Sequence, residues 1–352
     1  MYITVPDQPV LNDFTVPAVH RTMNVLEADD PEVEWVSLRA PGLQKIVVKK
    51  KKASPKKPAP RLKKSRLTLK KSAPRTLPKS TALPEKGWAR LMNRLEKDGI
   101  SPQQVQAVYL SNQMPEFRQV AFKLNPQESL HIYTGHTTPG RIERAATFIK
   151  TYEQTFQKAQ RDTGVDYYLV AAIISVESDC GLNFGRQLVV NRLSRLANIG
   201  EEQNLDYVFA KLKAEDNNVT RAQVAQRAFV LEEIFYPQVL ALFQLAKEQK
   251  VSILGLRGST AGGIGYPQFL PLPWKTFGKD GNRDGIVSLF QPEDAILSCA
   301  QYLKKYGWKP GASEAEQFEV LRGYNNSRAY AQTVLKVRDL LREKDQTGNK
   351  WN

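Results

Sequence analysis

The stretch VDYYLVAAIISVESDCG, residues 165–181, decides the fold class of this chain. Its apolar side chains recur at helical spacing and cover most of a helix surface: Leu169, Val170, Ala172, Ile173, Ile174 and Val176. A helix that is apolar on nearly all sides is buried in a protein core. The stretch therefore predicts a central buried helix, and Gly181 is a residue that can terminate it.

Glu177 follows Ile173 by four residues, so it lies beside the buried face of this predicted helix. Burial raises the pKa of a carboxyl group, and the C-terminal end of a helix disfavours negative charge. Both effects keep the proton on the carboxyl, as a general acid requires. The alternative is a structural glutamate that ends a core helix and pairs with an arginine. A lone Glu does not decide between the two.

Helical patterns continue on both sides of this stretch, while strand-like alternation is scarce. The spacing of apolar residues predicts helices over residues 87–99, 101–110, 141–163, 220–250, 292–306 and 327–341, with Pro237 as a kink or break in the fourth. We therefore expect a mostly α domain over residues 85–345.

The net charge of +15 lies in one segment of the chain. Fifteen Lys or Arg and no Asp or Glu stand between Lys45 and Lys79, out of 51 Lys and Arg against 36 Asp and Glu in all. We expect residues 45–84 to be a disordered Lys/Pro-rich linker, because like charges and few large apolar groups oppose folding. We expect residues 1–44 to be weakly ordered, with one strand near residues 33–38.

Such a basic segment is either a solvated tether or a binding site for a polyanion, which means an anionic cell-envelope polymer, lipid head groups or nucleic acid. The segment lacks interleaved aromatic residues for base stacking, and the charge of the remaining residues is balanced. We therefore do not expect nucleic acid as a partner.

Two cysteines and three histidines exclude several classes of site. All three histidines precede residue 165, so a Ser-His-Asp or Cys-His mechanism lacks its base near the predicted central helix. Two cysteines make neither a disulfide scaffold nor a zinc site. The chemistry must then rest on carboxylates. No apolar run approaches the roughly 20 residues of a membrane-spanning helix, and no secretory signal is visible in the sequence as written.

The segment GSTAGGIGYPQFLP, residues 258–271, is rich in glycine, so its backbone can approach a ligand closely. Ser259, Tyr266 and Gln268 place polar groups between the glycines, and a Gln amide both donates and accepts. These groups suit sugar hydroxyls and acetamides. A tight packing turn is the alternative.

The segment DGNRDGIVSLFQPED, residues 280–294, matches the first half of an EF-hand calcium loop. Asp280, Asn282 and Asp284 supply oxygens at alternate positions, a glycine follows, and Ile286 offers its carbonyl. The twelfth position is a Gln instead of the bidentate Glu, and Asp294 is the nearby carboxylate that can replace it. The alternative is a metal-free turn.

The segment RGYNNSRAY, residues 322–330, brings Tyr324, Asn325 and Tyr330 around a predicted helix start. Tyrosine rings stack on sugar faces while their hydroxyls form hydrogen bonds. An ordinary helix cap with two core tyrosines is the alternative.

Taken together and in this order, these segments resemble the membrane-bound lytic transglycosylase B family, glycoside hydrolase family 103. The resemblance also covers the stretches FKLNPQES and DAILSCAQYLKKYGW, and it runs from about Trp88 to about Leu341. It implies a lysozyme-like α domain with helical extensions, which acts as a monomer in the periplasm or cell envelope and needs no cofactor for its chemistry.

The resemblance implies cleavage of the β-1,4 bond between N-acetylmuramic acid and N-acetylglucosamine in peptidoglycan, with formation of 1,6-anhydro-muramyl ends. Glu177 would act first as the acid and then as the base. Two alternatives remain: a lysozyme-type hydrolase on the same scaffold, and a peptidoglycan-binding protein without catalysis. Products with anhydro ends, products with reducing ends, or no products distinguish the three.

Carried over by position, the resemblance assigns a saccharide cleft to Ser259, Gln268, Phe269, Tyr302, Tyr324, Asn325 and Tyr330, and to Tyr133 where the spacing differs. It assigns a structural calcium ion to Asp280, Asn282, Asp284, Ile286 and Asp294. The chain departs from the family at Asp179-Cys180-Gly181, where an aromatic or bulky residue usually precedes the glycine. Asp179 is also a poor second carboxylate, since it lies on another side of the helix from Glu177.

Overall fold

The structure is a computed structural model that describes residues 35–36, 86–126 and 130–347. The predicted linker over residues 45–84, and nearly all of the segment 1–44, lie outside the described residues. Within the described part the chain forms twelve α-helices, one 3-10 helix and four strands of two residues each. The prediction of a mostly α fold is therefore confirmed.

The helices follow one another along the domain. Their bounds are α1 Ala89–Lys97, α2 Pro102–Tyr109, α3 Pro139–Thr151, α4 Glu153–Thr163, α5 Tyr167–Ser178, α6 Val189–Ala197, α7 Glu202–Glu215, α8 Arg221–Glu248, α9 Pro271–Phe277, α10 Pro292–Lys305, α11 Glu314–Tyr324 and α12 Arg328–Thr347, and the 3-10 helix spans Leu130–Thr137.

The strands form two small pairs. The first strand, β1 (Trp35–Val36), lies within the predicted strand near residues 33–38 and pairs in parallel with β2 (Ala121–Phe122). The third, β3 (Gln187–Leu188), pairs antiparallel with β4 (Arg257–Gly258). This second pair places the segment that follows α5 beside the glycine-rich segment, although the two are distant in sequence.

The predicted central helix is α5, and it lies in the core. Its residues from Leu169 to Val176 are buried, and it packs against α3, α4, α10 and α12. The side chain of Asp166 caps its first turn by accepting a hydrogen bond from the backbone N–H of Tyr168 at 3.1 Å. Each large apolar side chain buried here stabilises the fold by about 1.5–3 kcal/mol, so α5 is a rigid support for whatever its C-terminal end carries.

Two predicted helices differ from the structure. The helix expected over residues 141–163 is interrupted at Tyr152, whose backbone is not helical at φ −114° and ψ 30°, and the ring of Phe148 packs against the Tyr152 ring at 4.9 Å. Pro237 does not break α8. Tyr236 and Gln238 on either side of Pro237 are buried, so packing against neighbouring helices holds α8 continuous.

Helix α8 is long and apolar enough to cross a membrane by length and composition alone. However, 61% of its most apolar window is buried inside the protein, where α8 packs against α6, α7 and α9. This burial is what a core helix shows, so the helix gives little support for a membrane span.

Candidate active site

Glu177 lies in the last turn of α5, half-buried, where three other helices converge on it. Its negative charge acts on Cys299 of α10, Tyr324 of α11 and Tyr330 of α12. Burial and then the charge of Glu177 raise the pKa of the Tyr330 hydroxyl well above its usual range. Burial raises the pKa of Tyr324 in the same way, so both tyrosines stay neutral near neutral pH, and Tyr330 keeps a proton to donate toward the carboxylate.

Two buried polar atoms among the predicted saccharide-binding residues lack a partner at full hydrogen-bonding geometry within the described part of the chain. They are the hydroxyl oxygen of Tyr330 and Oδ1 of Asn325. Folded proteins satisfy most buried polar atoms, so each exception calls for an explanation. A ligand or a change in the charge of Glu177 would supply the missing partner, which favours a binding function for this region.

An aromatic cluster surrounds this point. The rings of Tyr324 and Tyr330 lie nearly parallel, at 6° and 6.1 Å between centroids, and Tyr133 of the 3-10 helix meets Tyr330 edge-on at 6.0 Å. Tyr302 packs against Tyr324 at 4.9 Å, and Phe269 packs against Tyr302 at 5.4 Å. The structure thus brings together the aromatic residues that the sequence assigned to one cleft.

The predicted saccharide residues differ in exposure. Phe269, Tyr302 and Tyr324 are fully buried, and Tyr330 and Asn325 are nearly so, whereas Tyr133 and Ser259 are half-buried like Glu177. Burial of the first three favours support of the cleft from behind over direct contact with a sugar. Their contact with substrate stays a prediction.

Two hydroxyl groups tie the cluster to the backbone. The Tyr324 hydroxyl donates to the carbonyl oxygen of Pro267 at 2.6 Å, and the Tyr302 hydroxyl donates to the carbonyl oxygen of Gly323 at 2.9 Å. The first bond joins α11 to the glycine-rich segment. This bond therefore couples the position of the Tyr324 side chain to that of the glycine-rich segment.

The glycine-rich segment is a tightly packed loop. Gln268 has a left-handed backbone, φ +51°, and its Nε2 donates to the carbonyl oxygens of Gly265 at 2.9 Å and Phe184 at 3.3 Å. A Cβ on Gly265 would lie 2.1 Å from the carbonyl oxygen of Leu289, so only glycine fits there. The N–H of Gly263 donates to Oγ of Ser259 at 3.2 Å. These contacts are those of the tight packing turn, and ligand binding by this segment stays a prediction.

Asp179, two residues after Glu177, is bound by arginines of α3. Arg144 donates from Nη2 to Oδ2 of Asp179 at 2.8 Å and from Nε to Oδ1 at 3.1 Å. Arg141 lies 3.7 Å from the same carboxylate and also contacts His136. Burial, and then the charge of Arg141, lower the pKa of His136 to about 4. Asp179 is therefore the counter-charge of these arginines, and the expectation that it is no second acid or base stays a prediction.

The predicted calcium loop uses its side-chain oxygens on its own backbone. Asp280 accepts from the N–H of Gly285 at 2.9 Å, Asp284 accepts from the N–H of Ile286 at 2.8 Å, and Asn282 accepts from the N–H of Asp284 at 3.0 Å. The donor chemistry is that of a calcium site. However, in the ranges that the structure describes no three His, Cys, Asp or Glu side chains are grouped to hold a metal ion.

Asp294 closes this loop from the first turn of α10. It is fully buried and accepts hydrogen bonds from the N–H groups of Gly281 and Ser288, both at 2.7 Å. Burial raises its pKa although these backbone bonds oppose the shift. Asp294 thus lies inside the loop and bonds to its backbone, and its role as the replacement for the missing EF-hand Glu stays a prediction.

A separate cavity of about 620 Å³ opens at the other end of α5. It is lined in part by Tyr167, Tyr168 and Lys344, and the Tyr168 hydroxyl donates to Asp345 at 2.5 Å. The rise along α5 puts it on the order of 15 Å from Glu177. The cavity therefore has no contact with the carboxyl group on which the chemistry depends.

Sequence reasoning missed three groups: Cys299, on which the charge of Glu177 acts, and Arg141 and Arg144, which bind Asp179 in the turn after Glu177. The arginines are three residues apart on α3, so they share a face, and this spacing is the signal that could have found them. Nothing in the sequence places that face against Asp179, because the contact depends on how α3 packs on α5.

The sequence of the chain is similar to that of known proteins. Residues 84–317 match the family described as the transglycosylase SLT domain. Membrane-bound lytic murein transglycosylase B of Escherichia coli strain K12 is 28% identical over 174 residues, which cover 49% of this chain and 40% of that relative. The matched part of the chain thus spans less than half the length of this curated relative.

Solved structures share the fold. The lytic transglycosylase SLT35 of Escherichia coli, in complex with calcium, has a TM-score of 0.54 at 18% identity, covering 74% of this chain and 94% of that one. SltB3 of Pseudomonas aeruginosa, in complex with NAG-anhNAM-pentapeptide, has a TM-score of 0.53 at 18% identity, covering 73% of this chain and 80% of that one. At these identities the likeness shows the fold alone.

Proposed function

The chain belongs to the transglycosylase SLT domain family, as its sequence resemblance predicted, and from this membership we propose that it is a lytic transglycosylase of peptidoglycan. The bond cleaved is the β-1,4 bond between N-acetylmuramic acid and N-acetylglucosamine. One observation carries the proposal: Glu177 is a half-buried carboxyl at the end of a rigid core helix, with the neutral hydroxyl of Tyr330 beside it. The names of its relatives support the choice of substrate.

Glu177 performs both proton transfers in this mechanism. It first donates its proton to the glycosidic oxygen while the bond between that oxygen and C1 of the muramyl residue breaks. The ionised carboxylate then removes the proton from the muramyl C6 hydroxyl, and the C6 oxygen forms the new bond to C1. The proton is back on Glu177 at the end, and no water is consumed.

A mechanism with one carboxylate suits this site. In the two-carboxylate scheme of glycosidases, the partners stand roughly 5–9.5 Å apart on either side of the scissile bond. The nearest acid in sequence, Asp179, is held by Arg144 at 2.8 Å and serves as its counter-charge. Glu177 is therefore the residue left to act as acid and base in turn.

Tyr330 supports the ionised state of Glu177. Its buried hydroxyl lacks a partner at full hydrogen-bonding geometry, yet it is close enough for the carboxylate charge to raise its pKa. Catalytic hydrogen bonds are often long before substrate binds and tighten in the complex. We assign Tyr330 the role of donor to Glu177 after the first proton has left.

Product analysis tests the proposal. The purified protein is incubated with peptidoglycan sacculi, and the masses of the released fragments are measured by mass spectrometry. Anhydro-muramyl ends are expected, and Glu177→Gln is expected to abolish release while the circular dichroism spectrum is kept. Fragments that are one water heavier would instead identify a lysozyme-type hydrolase. Binding to sacculi without any release would identify a non-catalytic binding protein.

We also propose that the loop over residues 280–294 binds a structural calcium ion. The support is its donor set and the calcium complex of a protein with the same fold. As they stand, the carboxylates bond to the loop backbone, so binding requires them to turn inward. No step of the proposed mechanism passes through this ion.

The substrate places the proposed activity in the periplasm or cell envelope. There the segment between Lys45 and Lys79, with fifteen positive charges, would meet anionic envelope polymers. Replacing the run from Lys49 to Lys52 with Gln should then weaken retention on sacculi at low salt and have little effect at high salt. Unchanged retention at low salt would leave the segment as a tether.

A further inference from the structure

The turn that follows Glu177 has an unusual backbone. Asp179, Cys180 and Gly181 all have positive φ, at 51°, 56° and 95°. Two successive non-glycine residues in the left-handed region are disfavoured, because the Cβ atom crowds the following carbonyl group. Such a conformation persists only where surrounding contacts hold it.

This turn controls how α5 ends. The N–H of Cys180 donates back to the carbonyl oxygen of Ile174 at 3.4 Å, and the N–H of Asn183 donates to the carbonyl oxygen of Ser178 at 3.0 Å. Glu177 lies between these two acceptors in sequence. Any relaxation of the turn would therefore change the direction in which the Glu177 side chain leaves the helix.

The strongest side-chain contact on the turn comes from α3. Arg144 binds both carboxylate oxygens of Asp179, at 2.8 and 3.1 Å, and Arg141 adds a second positive charge at 3.7 Å. The side chain of Asp179 is only 14% exposed and that of Arg144 is 42% exposed, so the carboxylate side of the pair is shielded from solvent. A bidentate Arg–carboxylate pair fixes geometry as well as charge.

The charge balance around Glu177 depends on Asp179. The charge of Glu177 acts on the hydroxyls of Tyr324 and Tyr330 and on the thiol of Cys299, whose pKa values are all raised, first by burial. These groups are therefore neutral near neutral pH.

Two further groups complete the surroundings. Tyr133 packs against Tyr330, and His136 is neutral above its pKa of about 4. Asp179 is thus an anion that offsets the two guanidinium groups of α3 at the turn that follows Glu177.

We propose that the ion pair between Asp179 and Arg144, assisted by Arg141, is a positioning device for Glu177. The ion pair holds the left-handed turn. The negative charge of Asp179 also offsets the positive potential of the two arginines, which would favour loss of the proton from Glu177. The inference rests on the proposed function. Asp179 and Arg144 are positioning residues, since neither needs to touch the glycan.

The test is a double-mutant cycle of Asp179→Asn, Arg144→Gln and the combined variant, with kcat, KM and the pH profile of sacculus solubilisation as readouts. Asn tolerates the left-handed backbone as Asp does, so the first change removes the charge without a new backbone penalty. We expect kcat to fall by about tenfold in each single variant with KM nearly unchanged, because Glu177 is displaced. The combined variant should lose little more than either one.

The pH profile separates positioning from a purely structural role. Glu177 must be protonated to act, so activity is lost as pH rises through its pKa. Asp179→Asn leaves the two arginines uncompensated, which lowers the pKa of Glu177 and moves the alkaline limb to lower pH. Arg144→Gln removes a cation and should move that limb in the opposite direction. Asp162→Asn, which breaks the exposed pair with Lys158 on α4, is the control and should change nothing.

The outcomes separate this inference from the proposed function. If the parent protein releases no anhydro fragments, the proposed function fails. If the parent is active while both single variants keep its kcat and both limbs of its pH profile, the positioning inference is overturned and the function stands. A loss in Asp162→Asn equal to that in Asp179→Asn would also overturn it.

Discussion

The hydroxyl group of Tyr324 donates a 2.6 Å hydrogen bond to the carbonyl oxygen of Pro267, and this bond joins helix α11 to the glycine-rich loop. Both atoms are shielded from solvent, because Tyr324 is fully buried. The bond therefore couples the aromatic side of the site to the loop that carries Ser259 and Gln268.

Replacing Tyr324 with Phe should destabilise the protein by about 1–3 kcal/mol, because the carbonyl group of Pro267 loses its buried partner. Thermal unfolding followed by circular dichroism measures this loss. The rate of glycan release should fall as well, since the loop is no longer fixed. Tyr302→Phe, which breaks the bond to Gly323 within the helical part, is the matched control. Tyr302→Phe should lower the stability about as much as Tyr324→Phe does, but it should lower the rate of glycan release less. A Tyr324→Phe variant with parental stability would refute the role of this bond.

Tyr330→Phe should lower the rate of glycan release without lowering the stability of the protein. The Tyr330 hydroxyl is buried without a partner at full geometry, so its removal should leave the melting temperature unchanged or slightly raised. The rate should nevertheless fall by about ten- to a hundredfold, the equivalent of one hydrogen bond to a charged group. Steady-state kinetics on sacculi, alongside thermal unfolding, measure both. A fall in stability with an unchanged rate would make Tyr330 a structural residue only.

The sequence predicts those features of the site that depend on residues close together in the chain, and it does not predict those that depend on tertiary packing. Helix α5 and the place of Glu177 at its end follow from local spacing, because apolar periodicity is a property of neighbouring residues. The resemblance places the aromatic residues in one region. Neither shows that Phe269, Tyr302 and Tyr324 are buried, since that depends on how α10, α11 and the glycine-rich loop pack.

The features that sequence reasoning missed are tertiary. Arg141 and Arg144 look like exposed residues on an amphipathic helix, and only the packing of α3 on α5 sets them against Asp179. The break at Tyr152 is likewise invisible locally, because the residues around it have ordinary helix propensities. Local patterns thus predicted helix α5 with Glu177 at its end, and packing determined the surroundings of Glu177.

His136 should make stability depend on pH in a defined window. Its folded pKa is about 4, below the 6.5 of an unperturbed histidine, so the unfolded chain binds its proton first as pH falls. Stability from neutral His136 is therefore fully present above pH 6.5 and is lost as pH falls toward 4. Thermal unfolding across this range measures the slope, and His136→Asn should flatten it. An equal slope in the variant would assign the dependence to other groups.

Calcium should raise the melting temperature if the loop over residues 280–294 binds it. Asp280, Asp284 and Asp294 are three acids on one loop, and the charge of Asp280 helps to raise the pKa of Asp294. A divalent cation would relieve this repulsion in the folded state, and ligand bound only to the folded state stabilises it.

The test compares melting temperatures of chelator-treated protein with and without added calcium. Asp284→Asn keeps an oxygen to accept from the N–H of Ile286 but lowers the charge of the loop, so the calcium increment should shrink or vanish while the metal-free melting temperature changes little. Asp206→Asn on α7 lies outside the loop and should keep the full increment. If saturating calcium leaves the parent unshifted, the loop is a metal-free turn, and its oxygens serve the backbone bonds in which they are found.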